Sequence, residues 1–592
     1  MPQRNSKLTQ FWNELKRRRV LHVITVYASS AFVLIELINN LAEPLNLPSN
    51  LLIIAVIVLA VGFPLVAILS WLYDLTGQGM ERTKPLSETG EGEKTVVPNA
   101  WKFATYISFA VILGLVAFNL AGRTGKLRPG DIQSLMIFPF DNFTGDDQLD
   151  YVAAGMHSAL IGDMGQVSAL RVISETTASV YKKKEMSLTE IAREEHIGAV
   201  IEPSVLCYGD SVCIQIRVIA TYPEEKQLYV AEYKEDKSQI LNLYSRITKE
   251  IAEDLKVELT PREEQLLARK RTVDREAYDA YLKSNQLLGD ASLESLYKAR
   301  DYLNSAIDKD PDWAPLYLGL TIVWASMVQM GVEPPEIGIP KTIENLNRAL
   351  ELDPDSNEAH GAMAMVAFLQ EWDWEKAEKE YLQALAINPS DGGRIIYSQF
   401  LACMQRPEEA VTQGKLALAL DPLNPMVKIW YAATLQCVGK YEEALALAVE
   451  VTTEDPGHYM ANNALESSAF SCGDYDKVMG ALKYLLPVRN INYEEIKKIY
   501  REKGIVAAYE EILRQEEVIA QHEYVPPIEM IVRYMMVDKK EKALEWIEKG
   551  YELREQSMPY IATHMCFCEP LFDDPRFIRI VQKMNLPLPP SK

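Results

Sequence analysis

The sequence predicts a multi-domain chain: three transmembrane helices, then an α/β domain, then an all-α superhelix of repeats. Three observations predict it. Long apolar runs recur in the first 122 residues. From 131 to 260, strand-like and helix-like stretches alternate. Beyond 274, Asp-Pro or Asn-Pro recurs at Pro311, Pro354, Pro389, Pro422 and Pro456, with later gaps of 35, 33 and 34 residues. At 592 residues the chain is too long for one core.

The apolar runs are long enough to cross a bilayer, which takes roughly 20 helical residues. They are expected as helices at about 20–42, 51–73 and 102–121, behind a basic tail at 1–19. Arg4, Lys7, Lys16, Arg17, Arg18 and Arg19 lie in the tail, and Arg82, Lys84 and Lys94 lie in the second loop. The first loop, "AEPLNLPSN", has no basic residue. That bias orients the tail toward the cytoplasm and residues after about 123 toward the periplasm of a bacterial inner membrane. Glu36 falls inside the first run. An intramembrane carboxylate is either a functional group or one close enough to the helix end to reach the interface. Small residues Ala28 to Ala31 suit helix packing, and hence oligomerisation through the membrane helices.

Net charge is −22 but uneven. Residues 1–128 hold 13 Lys and Arg against 8 Asp and Glu; the remainder holds 48 against 75. An acidic body argues against nucleic acid as partner, because backbone phosphates require neutralising cations.

In the α/β stretch, "SLMIFPF" reads as a buried strand and "YVAAGMHSALIGDMGQV" as a helix. "LRVIS" is a short strand and "LTEIAREEHI" a short helix. "AVIEPSVLCYGDSVCIQIRVIATY" is a hairpin turning at Gly209-Asp210, "QLYVAEYK" a further strand, and 237–258 a helix. Cys207 and Cys213 flank the turn as a candidate disulfide. The register is open, because a two-residue turn sets them on opposite faces.

In the repeats, Ala306, Ala349, Ala384, Ala417 and Val451 stand five residues before the prolines. Ala299, Thr342, Ala377, Ala410 and Ala444 stand seven residues earlier still. Seven residues is two helical turns, so each pair lines one face, and small side chains there allow close helix approach. This is the tetratricopeptide (TPR) pattern with its period of 34. Repeats are expected over 274–490, with degenerate units and a cap over 491–592. First helices build the inner face of such an array. In the two best units the inward positions are Ile395, Gln399, Ala402, Ile429, Ala433 and Gln436; they either bind a protein or peptide or merely pack.

Other chemistry is sparse. Cys403, Cys437 and Cys472 are spaced 34 and 35 apart and are expected as core residues at equivalent positions. "HMCFC" at 564–568 offers soft metal ligands but no second ligand group nearby, and is expected to be packing. No hydrolase, nucleotide-binding or metalloprotease motif is present. No catalytic, cofactor-binding or metal-binding residue is assigned.

The α/β stretch resembles the amino-terminal domain of TolB, as found in TolB-like/TPR membrane proteins. The resemblance lies in "FPFDNFTGDD", "DYVAAGM", "LRVISETTASVYK" and "EIAREEHIGAVIEPSV". It extends to "FWNELKRRRVLHVITVYA", "GFPLVAILSWLYDLTGQGMERT" and "EPLFDDPRFIRIVQKMNLPLPP". The chain departs at the hairpin arms, "LCY" and "SVC" where the family is often Arg-rich, and at Tyr229 where Trp is common. In that group such regions are sometimes joined to adenylate or guanylate cyclase, kinase or winged-helix domains. The expectation is a membrane-anchored, non-catalytic scaffold or sensor that binds protein or peptide partners through a periplasmic TPR array. The alternative is a regulatory transmembrane component that signals to a separate cytoplasmic cyclase or kinase.

Overall fold

The computed structural model describes residues 132–589 except 185, 222–224 and 291. Before them it describes 20, 23–25, 27–28, 30–32, 34–35, 55–64, 73–76 and 79–82. The chain divides into two compact units, Met1–Lys126 and Leu127–Lys592.

In the first unit, residues 55–64 are helical. Among the described residues no helix is long and apolar enough to cross a membrane. The expectation of three transmembrane helices is corrected accordingly. With it go the inner-membrane and periplasmic placement, the membrane embedding and the oligomerisation through membrane helices. Tyr73, taken as the end of the second span, instead opens a strand: β1 (Tyr73–Thr76) pairs antiparallel with β2 (Gly79–Arg82). An apolar run shows hydropathy but not where a helix stops. The third run, Glu36 and the basic tail lie outside the described residues.

The second unit opens with β3 (Ser134–Ile137), β4 (Asp141–Asn142) and α1 (Asp150–Gly165). Next come β5 (Arg171–Val172), α2 (Glu175–Lys183) and α3 (Leu188–Glu195). Then follow β6 (Ala199–Tyr208), β7 (Ser211–Ala220), β8 (Lys226–Asp236), α4 (Ile240–Asp254) and α5 (Pro261–Leu267). Strand order is β5-β3-β6-β7-β8, with β4 on β6. β3 runs parallel to β5 and β6; β6, β7 and β8 are antiparallel. β7 alternates buried and half-buried residues along its length, the mark of a sheet with one covered face. Ser187 and Thr260 start α3 and α5 with reciprocal capping boxes to Glu190 and Glu263, which supply partners for otherwise orphaned helix N–H groups.

Eight helix pairs follow among the described residues: α6 (Arg275–Asp290) with α7 (Leu293–Lys309), α8 (Ala314–Gln329) with α9 (Pro335–Leu352), and α10 (Asn357–Val366) with α11 (Trp374–Ile387). Then come α12 (Arg394–Cys403) with α13 (Pro407–Leu420), α14 (Pro425–Cys437) with α15 (Tyr441–Glu454), and α16 (Tyr459–Ser471) with α17 (Tyr475–Leu485). The last are α18 (Tyr493–Lys503) with α19 (Ile505–Ile519) and α20 (Pro527–Met536) with α21 (Lys540–Glu552); α22 (Pro575–Lys583) ends the fold. The small positions of the sequence repeat are all buried, from Ala299 and Ala306 to Ala444 and Val451. Asp310, Asp353, Asn388, Asp421 and Asp455 cap the second helices, and the following Pro cannot extend them. The 35-residue gap has a local cause: Ala367–Glu371 forms a π-turn that absorbs one extra residue. First helices also pack on one another, α12 on α14 and α14 on α16, which puts them on the inside of the superhelical curve.

Packing does not break between sheet and repeats. One core runs from Ile132 through β7 and α4 to Val323 and Met327 on α8. The start of α2 also meets the repeat rim: Ser174 N–H, just before the helix, donates to Leu420 O (2.9 Å), and Thr177 Oγ1 in its first turn donates to Asp421 Oδ1 (2.8 Å).

Candidate functional site

Five of the six inward positions are buried: Ile395, Gln399, Ala402, Ile429 and Gln436; Ala433 is partly covered. Their polar groups are engaged. Gln436 Nε2 donates to Ala464 O (2.9 Å) and Ser468 Oγ (2.8 Å), tying α14 to α16. Gln399 Nε2 donates to Trp430 O (3.2 Å). Ile395 and Ile429 join one small core, Ala402 another.

What covers Gln399 is the chain's own carboxyl-terminal region. After α21 the backbone makes three short 3₁₀ turns, Met558–Ala562, His564–Cys566 and Glu569–Leu571. Pro559 and Pro570 keep this stretch from continuing as α-helix. Tyr560 OH donates to Gln399 Oε1 (2.6 Å), and its ring meets Phe368 edge-on at 6.0 Å. Gln405 Nε2 donates to Ala562 O (2.8 Å), and Tyr441 OH to His564 O (2.8 Å). Met565 Sδ lies 3.9 Å from Cys437 Sγ, and Phe567 meets Phe470 edge-on at 5.8 Å. The segment is thus held by side-chain donors to two of its carbonyls and by aromatic contacts, and its Met558, Ile561, Cys566, Cys568 and Leu571 are buried in one core with α20, α21 and α22. Burial among apolar groups pushes the Tyr560 phenol far above its ordinary range and the Cys437 thiol up to about 12, so both stay neutral.

The turns between first and second helices show how the repeats receive this segment. Gly439 (φ 75°) and Gly473 (φ 72°) close α14 and α16 in the left-handed region, where a missing Cβ removes the steric cost. Gln405 stands 34 residues before Gly439 and adopts φ 58° despite its side chain. Trp372 does the same one repeat earlier at φ 57°. Both side chains touch the carboxyl-terminal region: Gln405 through Ala562, and Trp372 by packing with Tyr551 at 5.9 Å and Arg554 at 5.1 Å. Strained backbone points to a role for the side chain it displays. Sequence reasoning missed Gln405, Trp372 and Tyr560. The available signal was a non-glycine where the next two repeats carry Gly.

Cys207 and Cys213 form a disulfide, with Cα atoms 4.8 Å apart. A bulge at Leu206 settles the register: Val205 pairs with Ile214, but Cys207 with Cys213. Cys403 and Cys437 are buried, whereas Cys472, expected in the core, is exposed at the end of α16. Cys566 and Cys568 are buried, and His564 Nδ1 lies 2.7 Å from Glu569 Oε1. Among the described residues no group of His, Cys, Asp or Glu is arranged to hold a metal ion. Glu36 lies outside the described residues.

No family model matches the chain. It is 30% identical over 190 residues to a protein of Rhizobium meliloti (strain 1021) named "Putative adenylate cyclase 3"; the match covers 32% of each. The chain thus spans about a third of the length of that relative. Among solved structures, it is similar to a thermophilic TPR protein of Thermus thermophilus (17% identity, 32% of this chain, 98% of that chain, TM-score 0.27). It is also similar to a TPR protein of Parabacteroides merdae (15% identity, 48% of this chain, 99% of that chain, TM-score 0.28). With such TM-scores the repeat assignment stands on the helix pairs themselves.

Proposed function

We propose that the chain is a non-catalytic scaffold that binds a protein or peptide partner on the inner face of its repeats. One observation carries this reading: the repeats already hold a peptide-like segment, residues 558–571, through its Tyr560 hydroxyl on Gln399 of a first helix, through donors from Gln405 and Tyr441 to two of its carbonyls, and through aromatic contacts. The segment stands in for a partner, and a partner would reach Gln399 and Gln405 by displacing it. The test uses the full chain as bait, with a synthetic peptide of residues 556–573 as competitor. A true partner is captured by the wild type, is lost with excess peptide, and is lost with Gln399→Ala. Capture that survives both peptide and substitution refutes the reading.

A second reading is favoured by the matched third of a protein named as an adenylate cyclase. In it the bound partner is a separate nucleotide cyclase whose output the chain regulates. Adding purified chain to a cyclase captured in the first test separates the two: changed turnover supports regulation, and unchanged turnover leaves scaffolding alone.

A further inference from the structure

The scaffold reading makes no use of a cavity of about 640 Å³ between the sheet and the repeats. Its walls come from β5 and the turn before it, the loop after α4, and the rim at Ser390, Arg394, Leu416 and Leu420. Arg171, Arg394 and Lys256 line it; Glu258 is the one carboxylate among the lining residues. A cleft with two excess positive charges is unusual in a chain of net charge −22.

Neither guanidinium has a carboxylate in contact, although Glu195 acts on Arg171 and Asp391 on Arg394 from farther off. Arg171 donates to the carbonyls of Ala419 (2.8 Å), Glu195 (2.5 Å) and His196 (3.1 Å). Arg394 donates to Gln413 Oε1 (2.5 Å) and Pro389 O (2.6 Å), and its Nε is buried without a partner. Every named acceptor is neutral, and among the described residues neither side chain has a carboxylate oxygen within 4.0 Å. Each guanidinium carries five donors, so both keep N–H groups uncommitted. Burial depresses both below the ordinary arginine range, and the nearby carboxylates, Glu195 for Arg171 and Asp391 for Arg394, offset this only in part.

We propose that this cavity binds a small organic anion through a phosphate or carboxylate group on Arg171, Arg394 and Lys256. An anion would compensate the desolvated cations, and guanidinium matches either group in bidentate fashion. The apolar wall at Ile132, Leu170, Val257 and Leu420 would take the organic part. The volume falls in the usual range for small-molecule sites, roughly 300–1,000 Å³. An adjoining cavity of about 340 Å³ shares Ser390 and Leu420 but is lined by Glu175, Glu358, Asp391 and Asp421, so it repels the same ligand and fixes which end enters.

The site is independent of the inner-face groove, and its test is separate. Isothermal titration of the full chain would use inorganic phosphate, adenosine monophosphate and citrate as probes, with sodium chloride at matched ionic strength and spermidine as controls. The expected result is saturable binding of the phosphate probes, of citrate, or of both, which names the group recognised. Arg394→Gln should weaken it at least about ten-fold, as expected for loss of a charge-assisted hydrogen bond. Lys256 is solvent-exposed, so Lys256→Gln should weaken binding several-fold while leaving the melting temperature unchanged. Glu358→Gln, in the adjoining cavity, should not weaken it. The proposal is overturned by no saturable binding up to about 10 mM of any anion, or by binding that both basic substitutions leave intact.

Discussion

The Tyr560 hydroxyl donates a 2.6 Å hydrogen bond to Gln399 Oε1, across 161 residues of chain. This bond seats the carboxyl-terminal segment on the first helix of a central repeat. Tyr560→Phe removes the hydrogen bond and leaves the ring, and should cost about 1 kcal/mol. Tyr560→Ala also empties the contact with Phe368 and should cost about 3–5 kcal/mol. Urea unfolding of both variants checks the pair; equal costs would mean the ring does not pack as described.

Gln405 separates backbone strain from binding. Gln405→Gly relieves a left-handed non-glycine, a gain of about 1 kcal/mol, but deletes the bond to Ala562 O. Global stability should therefore change little. Amide exchange at residues 558–567 should speed up while that of α12 stays put. Unchanged exchange at both would show that Gln405 does not hold the segment.

The Cys207–Cys213 link closes a short loop, a sequence separation of 6. Chain-entropy arithmetic for such a loop gives about 2 kcal/mol. Replacing both residues by Ser should lower the melting temperature, and a thiol reductant should lower the wild type to the same value and leave the double variant unmoved.

Burial raises the Asp163 carboxyl from its ordinary 3.8 to about 7, against one 3.1 Å hydrogen bond from Ser245. Between the unfolded and folded values the folded chain holds a proton that the unfolded chain has released. Stability is therefore full below about pH 4 for this group and falls as pH rises through 7. Asp163→Asn keeps the acceptor for Ser245 and cannot ionise. It should gain on the wild type by on the order of 2 kcal/mol from pH 5 to pH 8. Melting temperatures at both pH values check it; a constant offset would contradict it.

The repeats were legible because a 34-residue period of small residues has one structural reading, and Ala377, Ala410 and Ala444 are buried as that reading requires. The π-turn was visible only as a gap of 35, since one extra residue can sit in a loop or a helix. The hairpin register was not legible: the bulge at Leu206 leaves no mark in an alternating strand, yet it decides whether Cys207 faces Cys213. The expected inward residues were read from spacing, which carries no information on what covers them. Burial of Gln399 depends on a contact 161 residues away, which no local pattern encodes. The transmembrane reading rested on apolar composition alone, and among the described residues no helix is long and apolar enough to cross a membrane.

The most direct test of the central claim is binding of a labelled peptide of residues 556–573 to the full chain, wild type against Tyr560→Ala. If the inner face is a peptide groove held by its own segment, the variant should bind the peptide at least about ten-fold more tightly than the wild type. Gln399→Ala combined with Tyr560→Ala should abolish that gain. Equal affinity for wild type and variant, or no binding to either, would contradict the account.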